Sequence, residues 1–156
     1  MESQTTRRNA LRLLTGVPLL AGLSLAATDR ALSATARLAL IERLIRDSRD
    51  LPHVSQRIDA IARGLLGVRY QANTLIGGSR QPERFVVRDD AFDCVTFCEV
   101  VLAAAISRDT DGFEDALRRI RYDHGDVRYD RRNHYFADWC RRNVENRICQ
   151  PVPIAS

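Results

Sequence analysis

Phe92-Asp93-Cys94-Val95-Thr96-Phe97-Cys98-Glu99, continued without a break by Val100-Val101-Leu102-Ala103-Ala104-Ala105-Ile106, decides how this chain folds. The run from Val95 to Ile106 is apolar on most sides, so a helix from about Asp93 to Ser107 belongs at the centre of the core. Asp93 reads as its cap, which places Cys94 in the first turn. Amide N–H groups at a helix start lack intrahelical acceptors and carry the positive end of the macrodipole. A thiol placed there is expected to ionise below its free value of about 8.5, and so to be a nucleophile. The competing reading is a small buried hydrophobe on an apolar helix.

Outward from this helix the chain reads as further helices. Leu38, Ile41, Leu44 and Ile45 give one apolar stripe over Arg37 to Asp47, and Ile58, Ile61, Ala62 and Leu65 give another from about Ser55 to Leu66, closed by Gly67. Residues 70–90 hold Gly77-Gly78-Ser79 and Pro82 without helical period, and read as a loop with an extended piece at Phe85-Val86-Val87. Asp111-Gly112 is expected to cap a helix from Phe113 to Arg121, with Phe113, Ala116, Leu117 and Ile120 inward. A last helix is expected from about Asn133 to Asn143.

The N-terminal segment 1–36 reads as an export signal. Arg7 and Arg8 precede a mildly apolar core from Leu13 to Ala27, the pattern of the twin-arginine route, with Ala34-Thr35-Ala36 as the cleavage site and Ala31-Leu32-Ser33 as the second choice. Thr15, Gly16, Pro18, Gly22 and Ser24 interrupt that core, so no stable membrane span is expected. Removal leaves about 120 residues, one domain. All 24 basic side chains are arginines. Beyond the signal, 20 arginines face 18 acids; a balance this near neutral argues against nucleic acid as a partner. The Arg118-Arg119-Ile120-Arg121 and Arg131-Arg132 runs are interleaved with acids and read as solvated, salt-bridged faces. The four cysteines lack zinc spacing, and neither metal nor cofactor is expected.

A set of residues in fixed order carries a resemblance. Tyr70, Thr74-Leu75, Glu83, Asp93-Cys94-Val95-Thr96-Phe97 with Glu99, Ile120-Arg121-Tyr122, Gly125, and Arg132-Asn133-His134-Tyr135-Phe136 with Asp138-Trp139 together resemble the N-acetylmuramoyl-L-alanine amidase-like family, over roughly residues 55–148. That family is similar to the NlpC-type cell-wall hydrolases, an α+β, papain-like fold with a cysteine at the start of the central helix. The resemblance implies that Cys94 attacks an amide carbonyl of a peptidoglycan stem peptide or of its junction with muramic acid, in the periplasm or cell envelope. It implies that Tyr70 sits beside the nucleophile, that Asp93 is cap and local anion, and that the Cys94 N–H forms part of an oxyanion hole.

One feature of the family has no match. Relatives continue into a small sheet whose strand carries the catalytic histidine in a His-Val-Gly motif, whereas here a short tail, 149–156, with Pro151 and Pro153, follows Ile148. This chain is therefore expected to be mostly α: residues 37–148 correspond to the helical first half of the domain, and the central helix should show an apolar face. Of three histidines, His53 falls in a linker and His124 in a polar loop. His134 is the candidate base, with Asn133 or Asp138 to orient it; the alternative is a structural histidine against Tyr135, Phe136 and Trp139. Two function classes follow: an exported cysteine amidase or peptidase acting on peptidoglycan, or an inactive remnant or peptide-binding module without a base. Cys140 and Cys149 could pair if the chain turns back after the last helix, whereas a Cys94–Cys98 bond within one helical turn has poor geometry.

Overall fold

The structure, a computed structural model, describes residues 38–152. The expected export segment and the last four residues of the tail lie outside them. Five α-helices account for about half of the described residues: α1 (Ala39–Ser48), α2 (Val54–Gly64), α3 (Cys94–Ile106), α4 (Thr110–Arg121) and α5 (Phe136–Glu145). Four short strands, β1 (Arg69–Tyr70), β2 (Ile76–Gly78), β3 (Gln81–Arg84) and β4 (Ala91–Phe92), lie between α2 and α3. The chain is mostly α with little sheet, as its sequence implies.

α3 is the spine. Val100, Val101, Ala103, Ala104 and Ala105 are buried, and the three successive alanines let α1, α2 and α4 approach closely. Ile41 and Ile45 of α1, Ile61 of α2, and Phe113, Leu117 and Ile120 of α4 fill the space around them, each at most 1% exposed. Burial of each such side chain contributes about 1.5–3 kcal/mol. The fourth side of α3 is thinly covered. Cys94, Cys98 and Ile106 are exposed and Leu102 is half-buried, and because these positions recur every four residues they form one ridge along the helix. This is the expected apolar face, narrowed to a single row.

Helix ends are held by side chains from elsewhere. α1 has no cap of its own, and the Leu40 N–H donates to Asp89 Oδ2 at 3.0 Å. At the other end of the spine, the buried Arg57 guanidinium of α2 donates to the carbonyls of Ser107 and Ala104. A cation there meets the negative end of the α3 dipole, while burial, with Arg108 nearby, lowers the Arg57 pKa.

Three expectations need correction. The cap of α4 is Asp109, whose Oδ1 accepts the Gly112 N–H at 2.8 Å, so the helix begins at Thr110 and Asp111 sits in its first turn. α5 begins three residues later than expected because Asn133 serves as a bridge: its N–H donates to the Arg121 carbonyl at 3.0 Å and its Nδ2 to the Ile120 carbonyl at 3.0 Å. Arg121 does not belong to a solvated face. It is buried and paired with Glu99 at 2.7 Å, and Arg132 is largely buried against Glu83 at 2.9 Å; the solvated reading does hold for Arg118 with Asp115 and for Arg131 with Asp123.

Residues 71–90 are more ordered than a loop. β2 and β3 form an antiparallel hairpin, irregular in register between Ile76 and Gly78, and Pro82 is tolerated because both strands are edges. β1 and β4 pair in parallel, Arg69 with Ala91 and Tyr70 with Phe92. The extended piece expected at Phe85 to Val87 follows β3 rather than joining a sheet. Among the described residues no helix is long and apolar enough to cross a membrane.

Candidate active site

The corner from β4 into α3 builds the site. Asp93 is extended, with φ −94° and ψ 179°, and is the N-cap. Its Oδ1 accepts the Thr96 N–H at 2.8 Å and the Thr96 hydroxyl at 2.8 Å, while the Asp93 N–H donates to Thr96 Oγ1 at 2.9 Å. This reciprocal pair is a capping box with threonine where glutamate or glutamine is usual. The Asp93 carbonyl accepts the Phe97 N–H at 3.0 Å, and Phe97 packs edge-on against Phe92, ring centroids 6.1 Å apart. The backbone on both sides of Cys94 is thereby fixed.

Cys94 is the first residue of α3 and its side chain is exposed. The N–H groups of Cys94 and Val95 point out of the first turn and have no intrahelical acceptor. Exposed sulfur and free amide donors thus share one helix end, the requirement for attack on a carbonyl and support of the resulting oxyanion. Cys98, one turn along the ridge, is also exposed; burial of its sulfur, then Cys94 and Glu99, raise its pKa.

Tyr70 is brought to this corner by the parallel pair. It lies opposite Phe92, two positions before Cys94, the Gln71 N–H donates to the Phe92 carbonyl at 2.9 Å, and the Tyr70 side chain is 71% exposed. The Tyr70 backbone therefore lies beside that of Phe92, at the strand end that leads into Asp93 and Cys94.

His134 is held elsewhere. Its Nε2 lies 2.7 Å from the Tyr129 carbonyl, and its ring tilts against that of Tyr129 at 4.4 Å. A carbonyl only accepts, so Nε2 carries the proton and Nδ1 the lone pair in the neutral ring. Neither expected orienting group holds it: Asn133 Oδ1 accepts from Arg142 at 2.8 Å and Asp138 from Arg141 at 3.0 Å. Phe136 and Trp139 stack on each other at 5.7 Å. Among the described residues His134 makes no hydrogen bond to Cys94, and no cluster of three metal-ligating side chains occurs.

Sequence reasoning missed the frame that carries this corner. Glu99 on α3 pairs with Arg121 of α4, whose Nη1 also donates to the Val86 carbonyl at 2.6 Å. Glu83 on β3, its side chain 2% exposed, accepts from Arg132 at 2.9 Å and from the Tyr122 hydroxyl at 2.8 Å. Burial and the Glu83 carboxylate push the Tyr122 pKa well above the ordinary phenol range. These two buried acids tie the hairpin, α3, α4 and the segment leading to His134 together. A groove of about 530 Å³ between Thr74, Ile76 and the stretch from Val86 to Asp90 lies within the segment they anchor.

A family model described as AmiA-like, N-acetylmuramoyl-L-alanine amidase-like, matches residues 60–153. No curated protein matches the chain. Among solved structures, a Legionella pneumophila protein, LPG0564, is 28% identical with a TM-score of 0.62, over 74% of this chain and 39% of its own. A Bacteroides fragilis protein provisionally called a xylanase is 32% identical with a TM-score of 0.51, over 56% of this chain and 39% of its own. An N-acetylmuramoyl-L-alanine amidase from Bacteroides uniformis is 38% identical with a TM-score of 0.46, over 51% of this chain and 34% of its own. The chain thus spans about two fifths or less of the length of the solved chains it matches.

Proposed function

The chain belongs to the N-acetylmuramoyl-L-alanine amidase-like family, and from that premise we propose that it is an exported cysteine hydrolase of papain-like, NlpC-type descent that cleaves an amide bond in peptidoglycan stem peptides. The observation that carries this reading is the exposed Cys94 sulfur at the first position of α3, beside free amide donors and a fixed Asp93 cap. Arg7 and Arg8 would direct the chain to the twin-arginine machinery, and its place of work would be the periplasm or cell envelope.

In this reading Cys94 Sγ, as thiolate, attacks the amide carbonyl carbon. The carbonyl oxygen gains the negative charge and faces the Cys94 N–H, and Tyr70 flanks the pocket with its hydroxyl. Collapse forms a thioester and releases the amine with a proton from the general acid; water then attacks the thioester and returns the thiol. His134 is the candidate for proton transfer, through Nδ1.

A second reading, a stem-peptide-binding module without catalysis, is favoured by one observation, the engagement of His134 with Tyr129 rather than with Cys94. The deciding experiment is incubation of the full chain with purified muropeptides, following new amino groups. Release by the wild type, absent in Cys94→Ser, supports the hydrolase. No release, with stem peptide still bound by both proteins, supports the binding module.

A further inference from the structure

Past the end of α5 at Glu145 the chain folds back on the helix. Arg147 adopts a left-handed φ of +58°, and the N–H groups of Ile148 and Cys149 both donate to the Asn143 carbonyl, at 2.9 and 3.1 Å. Asn143 is fully buried, and its Nδ2 donates to the Trp139 and Ile120 carbonyls at 2.8 and 3.3 Å. The turn is thus anchored in the core, which fixes where Cys149 lies. Cys140 precedes Asn143 by three residues, so the two lie on the same side of α5.

The two sulfur-bearing residues line one cavity. A hollow of about 630 Å³ is lined by Trp139, Cys140, Val144, Cys149 and Pro151 among others, and both cysteines are free and half-buried. Burial raises the Cys149 pKa and the Cys140 thiol adds to the rise. Cys94 and Cys98, by contrast, stand one above the other on a helix ridge, where the Cβ directions run parallel.

We infer that Cys140 and Cys149 are a disulfide-forming pair that fastens the segment after α5 onto that helix. The inference is independent of the amidase reading. One thiolate attacks a sulfur of a small disulfide oxidant such as glutathione disulfide and expels one glutathione thiolate. The second cysteine then attacks the mixed disulfide and expels the other. The protein loses two protons and two electrons as a bond forms between Cys140 Sγ and Cys149 Sγ, and the oxidant becomes two molecules of glutathione.

The test is incubation of the full chain with glutathione disulfide, followed by alkylation, intact mass and peptide mapping. The expected product is lighter by about 2 Da before alkylation, then takes alkyl groups on Cys94 and Cys98 only, and yields a peptide joining Cys140 to Cys149. Trp139 is the single tryptophan and lines the same cavity, so its emission falls on oxidation and recovers on reduction. Reduction also lowers the melting temperature by several degrees, because the cross-link restricts the unfolded chain. Cys140→Ser and Cys149→Ser each abolish the mass loss and the fluorescence change. Four alkylated cysteines, a peptide joining any other pair, or glutathione retained on Cys140 or Cys149 would overturn the inference.

Discussion

Glu99 Oε2 lies 2.7 Å from Arg121 Nε, with both side chains 2% exposed. Burial pushes the Glu99 carboxyl upward and the guanidinium draws it back. The same guanidinium donates to the Val86 carbonyl, so one buried charge pair joins the helix that starts at Cys94, the next helix and the segment after the hairpin. Such a pair is a device for position, since its desolvation offsets much of its attraction.

Breaking one side of that pair is therefore costly. Glu99→Gln leaves the Arg121 charge buried without a counter-ion and is expected to lower stability by about 3–5 kcal/mol. The double change Glu99→Leu with Arg121→Met removes both charges and should cost less than Glu99→Gln alone. Urea denaturation of the variants checks the sign of the coupling.

Alkali should unfold the protein through Tyr122. Its hydroxyl donates to Glu83 and its pKa is raised in the fold, so the folded state keeps a proton that the unfolded state releases near pH 10. Stability is full below that pH and falls as pH rises above it. Tyr122→Phe should cost about 1 kcal/mol at neutral pH and make the alkaline decline shallower, as read from melting temperatures between pH 7 and 11.

Asp93→Ala removes the acceptor for the Thr96 N–H and hydroxyl. The expected loss is about 1 kcal/mol, with Asp93→Asn losing less because its amide oxygen still caps. Alkylation of Cys94, followed by peptide mapping, should slow in Asp93→Ala if the corner loosens, and thermal melts give the stability change.

Gly77→Ala should be among the most damaging changes in the hairpin. Gly77 has φ +149°, and an added Cβ would strike the Glu83 carboxylate and approach its Cα within 2.9 Å. Displacing Glu83 breaks its bonds to Tyr122 and Arg132 together, with an expected loss of about 2–4 kcal/mol. Chemical denaturation measures the loss, and equal stability of Gly77→Ala and wild type would show the hairpin to be uncoupled from the core.

Much of the helical frame was legible because its signals are local. Asp93 before a continuous apolar run, and stripes such as Ile58, Ile61 and Leu65, announce helices without reference to the rest of the chain. The buried acids were not legible. Glu83, Glu99 and Arg121 look like any surface charges until partners 22 to 49 residues away are brought to them, and the same is true of Arg57 at the far end of α3. Cys94 could be read as a helix-start thiol from the Asp93 cap, whereas any place for Tyr70 came only from the resemblance. The parallel register that brings Tyr70 opposite Phe92 depends on how residues 71–90 fold, which no short pattern encodes.

That parallel register also separates two tasks along the chain. The ends of residues 71–90 are clamped side by side, Arg69 to Ala91 and Tyr70 to Phe92, before the backbone reaches the sulfur. What is spliced between the clamps can lengthen, shorten or change character, provided Glu83 and Val86 keep their anchors, while the Cys94 sulfur stays where it is. The fold thus offers a socket into which different inserts can be fitted, and chimaeras that exchange this insert should leave the corner that carries Cys94 unchanged.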